Sequence, residues 1–327
     1  MKISIIIATY NDPFLKQCLD SIYGSRGIDF EVIVIDDCST SVDVKNITNE
    51  YPKCKTFIFE KNKGPAVARN FGVKQATGEI IFFIDSDTQL YSDTLKKIIT
   101  RFENEPTLQG ITIVWSDESI KGGFFNKFKA IETNYLYKNV YNTCFGSNGS
   151  AIYKNLFLKQ GGFDEGFKTA DAEDFHIGFK FLTKNYNIVL DRNITMKHCF
   201  LDRFFFRGMK KYCKRAFLKA MVLGQTKDRT ETSFNSKKFK MMCFFSVFIF
   251  ILIILSLIIK LLIWAGITFY AVFFWINRKL YLSFYRKYGL IFAFKSIILH
   301  YFYVLITSIS GIFGLIYAYV FKGKNSL

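Results

Sequence analysis

The chain has 327 residues, half of them hydrophobic, with 38 Phe and a formal net charge of +17, which allows one sizeable domain with an annex. A basic balance suits nucleic acid or an anionic membrane surface. With no aromatic-basic recognition module and with charge gathered near the apolar segments, nucleic acid is set aside in favour of the membrane.

Ile3 to Ala8 is a first buried strand, followed by Thr9-Tyr10-Asn11-Asp12-Pro13 and a helical pattern to about Tyr23, with Pro13 in its first turn. Met1 leads directly into this run, so no signal peptide is expected. Glu31 to Ile35 is a second strand; it ends in Asp36-Asp37, and Cys38-Ser39-Thr40 then opens another helix. Lys55 to Glu60 is a third strand, followed by a turn from Asn62 that feeds a helix with Arg69 in its early part. The fourth, Ile80-Ile81-Phe82-Phe83-Ile84, runs straight into Asp85-Ser86-Asp87. Four strand-helix alternations within the first 105 residues predict a parallel sheet with right-handed crossovers. Its polar groups fall at the carboxyl ends of strands, where open α/β sheets bind ligands.

Asp85 and Asp87 form a hard, oxygen-only half-site suited to Mg²⁺ or Mn²⁺, although an Asp-Ser-Asp turn also serves as a helix cap. No Gly-x-Gly-x-x-Gly follows the first strand and no Walker loop is present. Thr9, Tyr10, Asn11, Asp36, Asp37, Arg69, Asn70, Asp85 and Asp87 together suit a nucleotide diphosphate with a metal. Arg69 can face phosphate oxygens and the acids can accept from a ribose or a base. Taken singly, any one of these could be a helix cap or a surface pair. The seven cysteines, at 18, 38, 54, 144, 199, 213 and 243, are scattered and without metal-type pairs, as reduced thiols of a cytosolic domain would be.

The series Ile6-Ile7-Ala8-Thr9-Tyr10-Asn11, Val34-Ile35-Asp36-Asp37, Asn62-Lys63-Gly64-Pro65-Ala66-Val67-Ala68-Arg69-Asn70-Phe71-Gly72 and Phe83-Ile84-Asp85-Ser86-Asp87 resembles the family 2 glycosyltransferases. Gly146-Ser147-Asn148-Gly149-Ser150, Gly161-Gly162-Phe163-Asp164-Glu165 and Ala172-Glu173-Asp174-Phe175 continue the resemblance, which covers about residues 1–200. It implies an inverting, nucleotide-sugar-dependent enzyme of the GT-A fold, an α/β architecture with a Rossmann-like mixed sheet. It further implies that Thr9, Asn11, Asp36, Asp37, Arg69, Asp85 and Asn148 bind a UDP- or GDP-sugar. Asp85 and Asp87 would hold Mg²⁺ or Mn²⁺, with His198 at the end of a late strand as a third candidate ligand. Asp174, beside Glu173, falls where the family keeps its catalytic base. Glu173-Asp174 also suits a plain helix N-terminus, which favours negative charge. The Gln-x-x-Arg-Trp motif of polysaccharide synthases is missing, which argues against processive polymer synthesis.

Beyond His198, Asp202 to Lys219 interleaves basic and aromatic residues, as in a helix at the headgroup level or one covering the soluble domain. Residues 226–236 are polar and read as a linker, so that 201–240 forms a connecting segment. Spans are expected at about 241–259, 261–276 and 296–321, with an interfacial helix at 280–294 and small residues at Ser308, Ser310, Gly311 and Gly314 for close helix contact. Arg278, Lys279, Arg286, Lys287 and Lys295 put the intervening loop in the cytoplasm with the catalytic domain. The expectation is a multi-pass enzyme of the cytoplasmic membrane with a lipid-linked or glycan acceptor. The alternative is a membrane scaffold that binds nucleotide sugar without chemistry.

Overall fold

The computed structural model of the protein describes residues 1–139, 145–167, 173–199, 205–225 and 236–321. Two compact units are present, Met1–Lys121 with Thr143–Cys199, and Gly122–Asn142 with Phe200–Leu327.

The first unit begins with β1 (Ile3–Thr9), α1 (Leu15–Tyr23), β2 (Phe30–Asp36), α2 (Val44–Thr48), β3 (Cys54–Ile58), α3 (Pro65–Gln75) and β4 (Ile80–Asp85). It continues through β5 (Thr88–Leu90), α4 (Thr94–Asn104) and β6 (Gly110–Ser119) and, after a helix of the second unit, α5 (Phe124–Asn139), through β7 (Ser150–Tyr153), α6 (Lys154–Lys159), α7 (Glu173–Thr183) and β8 (Ile188–His198). The sheet order is β3-β2-β1-β4-β7-β6-β8-β5. Strands β1 to β4 run parallel, β7 and β5 antiparallel to their neighbours, giving the mixed sheet of a GT-A fold.

The central strands are apolar without alternation because both faces are covered. Ile3, Ile5, Ile7, Val32, Val34, Phe82 and Ile84 meet α1 and α4 on one side. Ile6, Ile33, Ile35, Ile81 and Phe83 meet α3, α6 and α7 on the other. The second helix starts later than the residue pattern suggests, at Val44, with Asp43 as its N-cap. Residues 39–41 are held as a loop instead, since Asp36 accepts the Ser39 N–H and Asn11 accepts those of Thr40 and Ser41. Pro13 likewise precedes α1, where Asp12 accepts the Phe14 N–H at 2.8 Å.

The second unit holds α5, α8 (Phe205–Gln225), α9 (Lys237–Leu255) and α10 (Leu262–Val320). At Gly289, φ 82° and ψ −178° break α10 into segments 262–288 and 290–320, a backbone state that suits glycine. The segments fold back on each other, with Phe284 and Phe292 rings 6.1 Å apart and the Tyr281 hydroxyl 3.0 Å from His300 Nδ1. Residues 280–288 thus continue the first segment and 290–294 begin the second, rather than forming one separate helix over 280–294.

The small residues do mediate close contact. A Cβ at Gly314 would collide with the Phe217 carbonyl of α8, and Ser246 and Ser308 hydroxyls lie 3.4 Å apart between α9 and α10. The basic-aromatic helix α8 therefore packs along the last apolar segment, with Tyr212 and Tyr303 rings 4.8 Å apart. Inside this unit Lys129 of α5 is buried against Glu132 at 2.7 Å and the Tyr303 hydroxyl at 3.1 Å. Among the described residues, α9 and α10 are long and apolar enough to cross a membrane. The expected Asp202, Arg203, the linker at 226–235, Cys144, Lys322 and Lys324 lie outside the described residues; the other six cysteines are free thiols.

Buried Glu31 joins β2 to β1 and to the turn before β4, accepting from Ser4 Oγ at 2.7 Å, Thr77 N at 2.5 Å and Lys55 Nζ at 2.9 Å. Burial opposes its ionisation, but these hydrogen bonds outweigh burial and bring the carboxyl down to about 2. A depressed folded-state value adds stability above the ordinary carboxylate range and forfeits it on acidification. The stability of the protein is therefore expected to fall from about pH 5 toward pH 2, and Glu31→Gln to flatten that slope, as read from unfolding midpoints across the range.

Candidate active site

The residues expected from the sequence to bind nucleotide sugar or metal or to catalyse all lie in the first unit, most of them at the ends of its strands, with Arg69 on α3, Asn148 just before β7 and Glu173-Asp174 at the start of α7. Asp85 closes β4, and Ser86-Asp87 turns the chain into the short strand β5, so the two acids do not cap a helix. β5 pairs with β8 in a register that sets Thr88 opposite His198, and the Cys199 N–H donates to the Asp87 carbonyl at 2.9 Å. This long-range pairing carries His198 Nε2 to 3.3 Å from an Asp87 oxygen. One ligand atom each from Asp85, Asp87 and His198 lie within 4.8 Å of one another. Two carboxylates and an imidazole form a donor set that fits Mn²⁺ or Mg²⁺.

Arg69 is buried on α3 and reaches both sides of the site. Its guanidinium donates to Asp85 Oδ1 at 2.8 Å and to Glu173 Oε1 at 2.9 Å, while its Nε is buried without a partner among the described residues. Glu173 opens α7 and is buried. Burial, and then the adjacent Asp174 carboxylate, push the Glu173 carboxyl up against the pull of Arg69. Asp174, less buried, accepts the Phe175 N–H on Oδ1 at 2.7 Å. The preceding Thr169, Ala170, Asp171 and Ala172 lie outside the described residues.

Asn148 sits beside β4, its Oδ1 accepting the Asp85 N–H at 3.2 Å and the Thr88 hydroxyl at 3.0 Å. Its Nδ2 is buried with no partner among the described residues, as is Thr9 Oγ1 at the end of β1. Both Asp37 oxygens are engaged, by the Lys63 and Gly64 N–H groups at 2.7 and 2.9 Å. A carboxylate still has lone pairs to offer after two such bonds. Asn11, with φ 52°, uses Oδ1 to accept from Thr40, Ser41 N–H and the Ser41 hydroxyl, each at 2.8 Å. Asn11 and Asp36 thereby shape the loop after β2, and Asp37 shapes the entry to α3.

The structure gives Asn70, already in the strand-end polar row, a specific role and adds Ser86, Asp12 and Trp115 to the site. Asn70 clamps the Gly161-to-Glu165 loop, exchanging bonds with the Phe163 N–H and C=O at 2.9 and 2.8 Å and donating to Glu165 at 3.0 Å. Ser86 Oγ donates to Asp12 at 2.6 Å, locking the turn between the two acids to the loop after β1. Trp115 of β6 stacks on His198 with centroids 4.3 Å apart. Asp12 and Asn70 stand inside polar strand-end motifs, a usable signal; Trp115 has none, because it meets His198 only through strand pairing.

The model of the family described as Glycosyl transferase family 2 matches residues 4–167. An uncharacterized glycosyltransferase of Haemophilus influenzae (strain ATCC 51907 / DSM 11121 / KW20 / Rd) is 28% identical over 177 residues, 53% of this chain and 60% of that protein. The uncharacterized glycosyltransferase YwdF of Bacillus subtilis (strain 168) is 31% identical over 182 residues, 54% of this chain and 67% of YwdF. The chain thus spans less than two thirds of the Haemophilus relative. Among solved structures, the mannosyltransferase PcManGT from Pyrobaculum calidifontis, in complex with GDP-Man and Mn²⁺, shares the fold at a TM-score of 0.59 and 18% identity, over 97% of this chain and 86% of that one.

Replacing Arg69 by Met would remove the guanidinium from beside the buried Glu173 carboxyl, a change expected to cost roughly 3–5 kcal/mol. The double variant Arg69→Met/Glu173→Met is expected to recover much of that loss, as urea titration of the full chain in detergent can measure.

Proposed function

We propose that this chain, which belongs to glycosyl transferase family 2, transfers a sugar from a UDP- or GDP-sugar to a lipid-linked acceptor at the cytoplasmic membrane, with inversion. The observation that carries the reading is the convergence of Asp85, Asp87 and His198 within 4.8 Å at the end of β4, next to the Arg69, Glu173 and Asp174 group. The Mn²⁺ and GDP-Man bound by PcManGT, a protein of the same fold, support a donor and a cation of these classes.

Asp85, Asp87 and His198 would hold Mn²⁺ or Mg²⁺, which supplies charge neutralisation for the departing diphosphate. Arg69 fixes Asp85 from the α3 side and Glu173 from the α7 side. Asn148 Nδ2, with no partner among the described residues, donates to the sugar or diphosphate, and Thr9, Asp36 and Asp37 line the nucleoside end. Glu173 is committed to Arg69 and positions the first turn of α7, whereas Asp174 keeps Oδ2 for the acceptor. As the bond from the anomeric carbon to the diphosphate breaks, the acceptor oxygen attacks from the opposite face and Asp174 takes its proton. With a polyprenyl phosphate acceptor, whose oxygen is already anionic, Asp174 orients rather than deprotonates.

Membrane attachment is supported by the exposure of large apolar side chains along α9 and α10, among them Ile254, Trp264 and Phe313. Lys237, Lys238 and Lys240 at the start of α9, with Arg278, Lys279, Arg286, Lys287 and Lys295 around the Gly289 turn, favour a cytoplasmic location for both. Residues 1–200 are read as the catalytic domain and 241–327 as the membrane region, joined by 201–240.

The test is a screen of UDP- and GDP-sugars with Mn²⁺ or Mg²⁺, using purified protein in lipid. Metal-dependent turnover of one donor is expected, abolished in Asp87→Ala and lowered about 10²–10⁴-fold in Asp174→Asn with donor binding kept. A folded protein that neither binds nor turns over any donor would overturn the reading.

A further inference from the structure

His198 is the most remote of the three candidate ligands in sequence, and an imidazole is broad in its second torsion. Something must hold its plane if Nε2 is to stay on the Asp87 side. The surrounding strand ends do this with three devices. The Trp115 indole lies parallel to the imidazole, with centroids 4.3 Å and planes 16° apart. The register of β6 against β8 slips next to this stack: Trp115 pairs with Met196, but His198 pairs with Ser119, so β6 spends two extra residues there. Such bulges re-aim a side chain at the rim of a sheet. The extra residues are closed by Ser116 Oγ, which accepts the Glu118 N–H at 3.2 Å, and Glu118 in turn holds Lys197, the neighbour of His198, at 2.8 Å.

We propose that Trp115 is a positioning residue for the metal site: its indole face fixes the His198 ring so that Nε2 joins Asp85 and Asp87. This rests on the reading of those three residues as a divalent-metal site. Partners that orient a metal-bound imidazole typically matter about 10–100-fold in metal affinity.

The experiment is an Mn²⁺ titration of the full chain in lipid nanodiscs, followed by electron paramagnetic resonance, with echo-envelope modulation to detect ¹⁴N coupling from a directly bound imidazole. Wild type is expected to bind Mn²⁺ with ¹⁴N coupling, and His198→Ala to lose that coupling. Trp115→Ala is expected to bind about tenfold more weakly with the coupling lost or reduced, and Trp115→Phe, which keeps a ring face, to retain it. If Trp115→Ala fails to fold, Trp115→Leu, which fills the space without a ring, takes its place. Wild-type affinity and coupling in the ring-less variant would overturn the inference alone. Absence of Mn²⁺ binding in the wild type, or coupling that survives in His198→Ala, would overturn the metal reading and the inference with it.

Discussion

The Arg69 guanidinium, buried between Asp85 and Glu173, is the contact on which the site depends. A guanidinium so placed stays charged, and it is stable there only because two carboxylates surround it with short, charge-assisted bonds. Each of those acids comes from a different element: Asp85 from the end of β4 and Glu173 from the start of α7. The pair of bonds therefore ties the end of β4 to the helix that carries Asp174. Arg69 and Glu173 are buried and Asp85 is partly exposed, so loss of the guanidinium would bear most heavily on the α7 side.

Around this unit the strand-end loops hold one another rather than relying on their own turns. Asn11 gathers the loop after β2, Asp37 gathers the approach to α3, and Ser86 binds Asp12. Consequently the carboxylates and amides that would meet a ligand are pinned by backbone N–H groups from neighbouring loops. Such preorganisation costs nothing further when charge develops during reaction. Thr9 Oγ1, Arg69 Nε and Asn148 Nδ2 are buried polar atoms without partners among the described residues.

The helical unit solves a different problem. Its helices α9 and α10 are largely apolar, yet α5 brings Lys129 and Glu132 into the unit, paired at 2.7 Å and capped by the Tyr303 hydroxyl, with Lys129 also over the Tyr303 ring at 4.2 Å. An ammonium among aromatic faces and one carboxylate is a compensated charge. Close approach of α8 at Gly314, where any side chain would strike the Phe217 carbonyl, extends the same packing.

The apolar runs of β1, β2 and β4, the acids that follow them and the order of the motifs determined from the sequence the α/β class and the family, because buried parallel strands and strand-end polar groups are local patterns. Apolar length likewise marked α9 and α10. The tertiary structure decided the rest. It made α5, which interrupts the run from β6 to β7, a member of the helical unit. It ended the loop after β2 at Val44 instead of Cys38, since side chains of Asn11 and Asp36 satisfy its amides. It turned α10 back at Gly289, set Trp115 on His198 and linked Arg69 to Glu173 across 104 residues. These outcomes depend on pairing and packing between distant segments, and neither periodicity nor composition records which distant residue a side chain will meet.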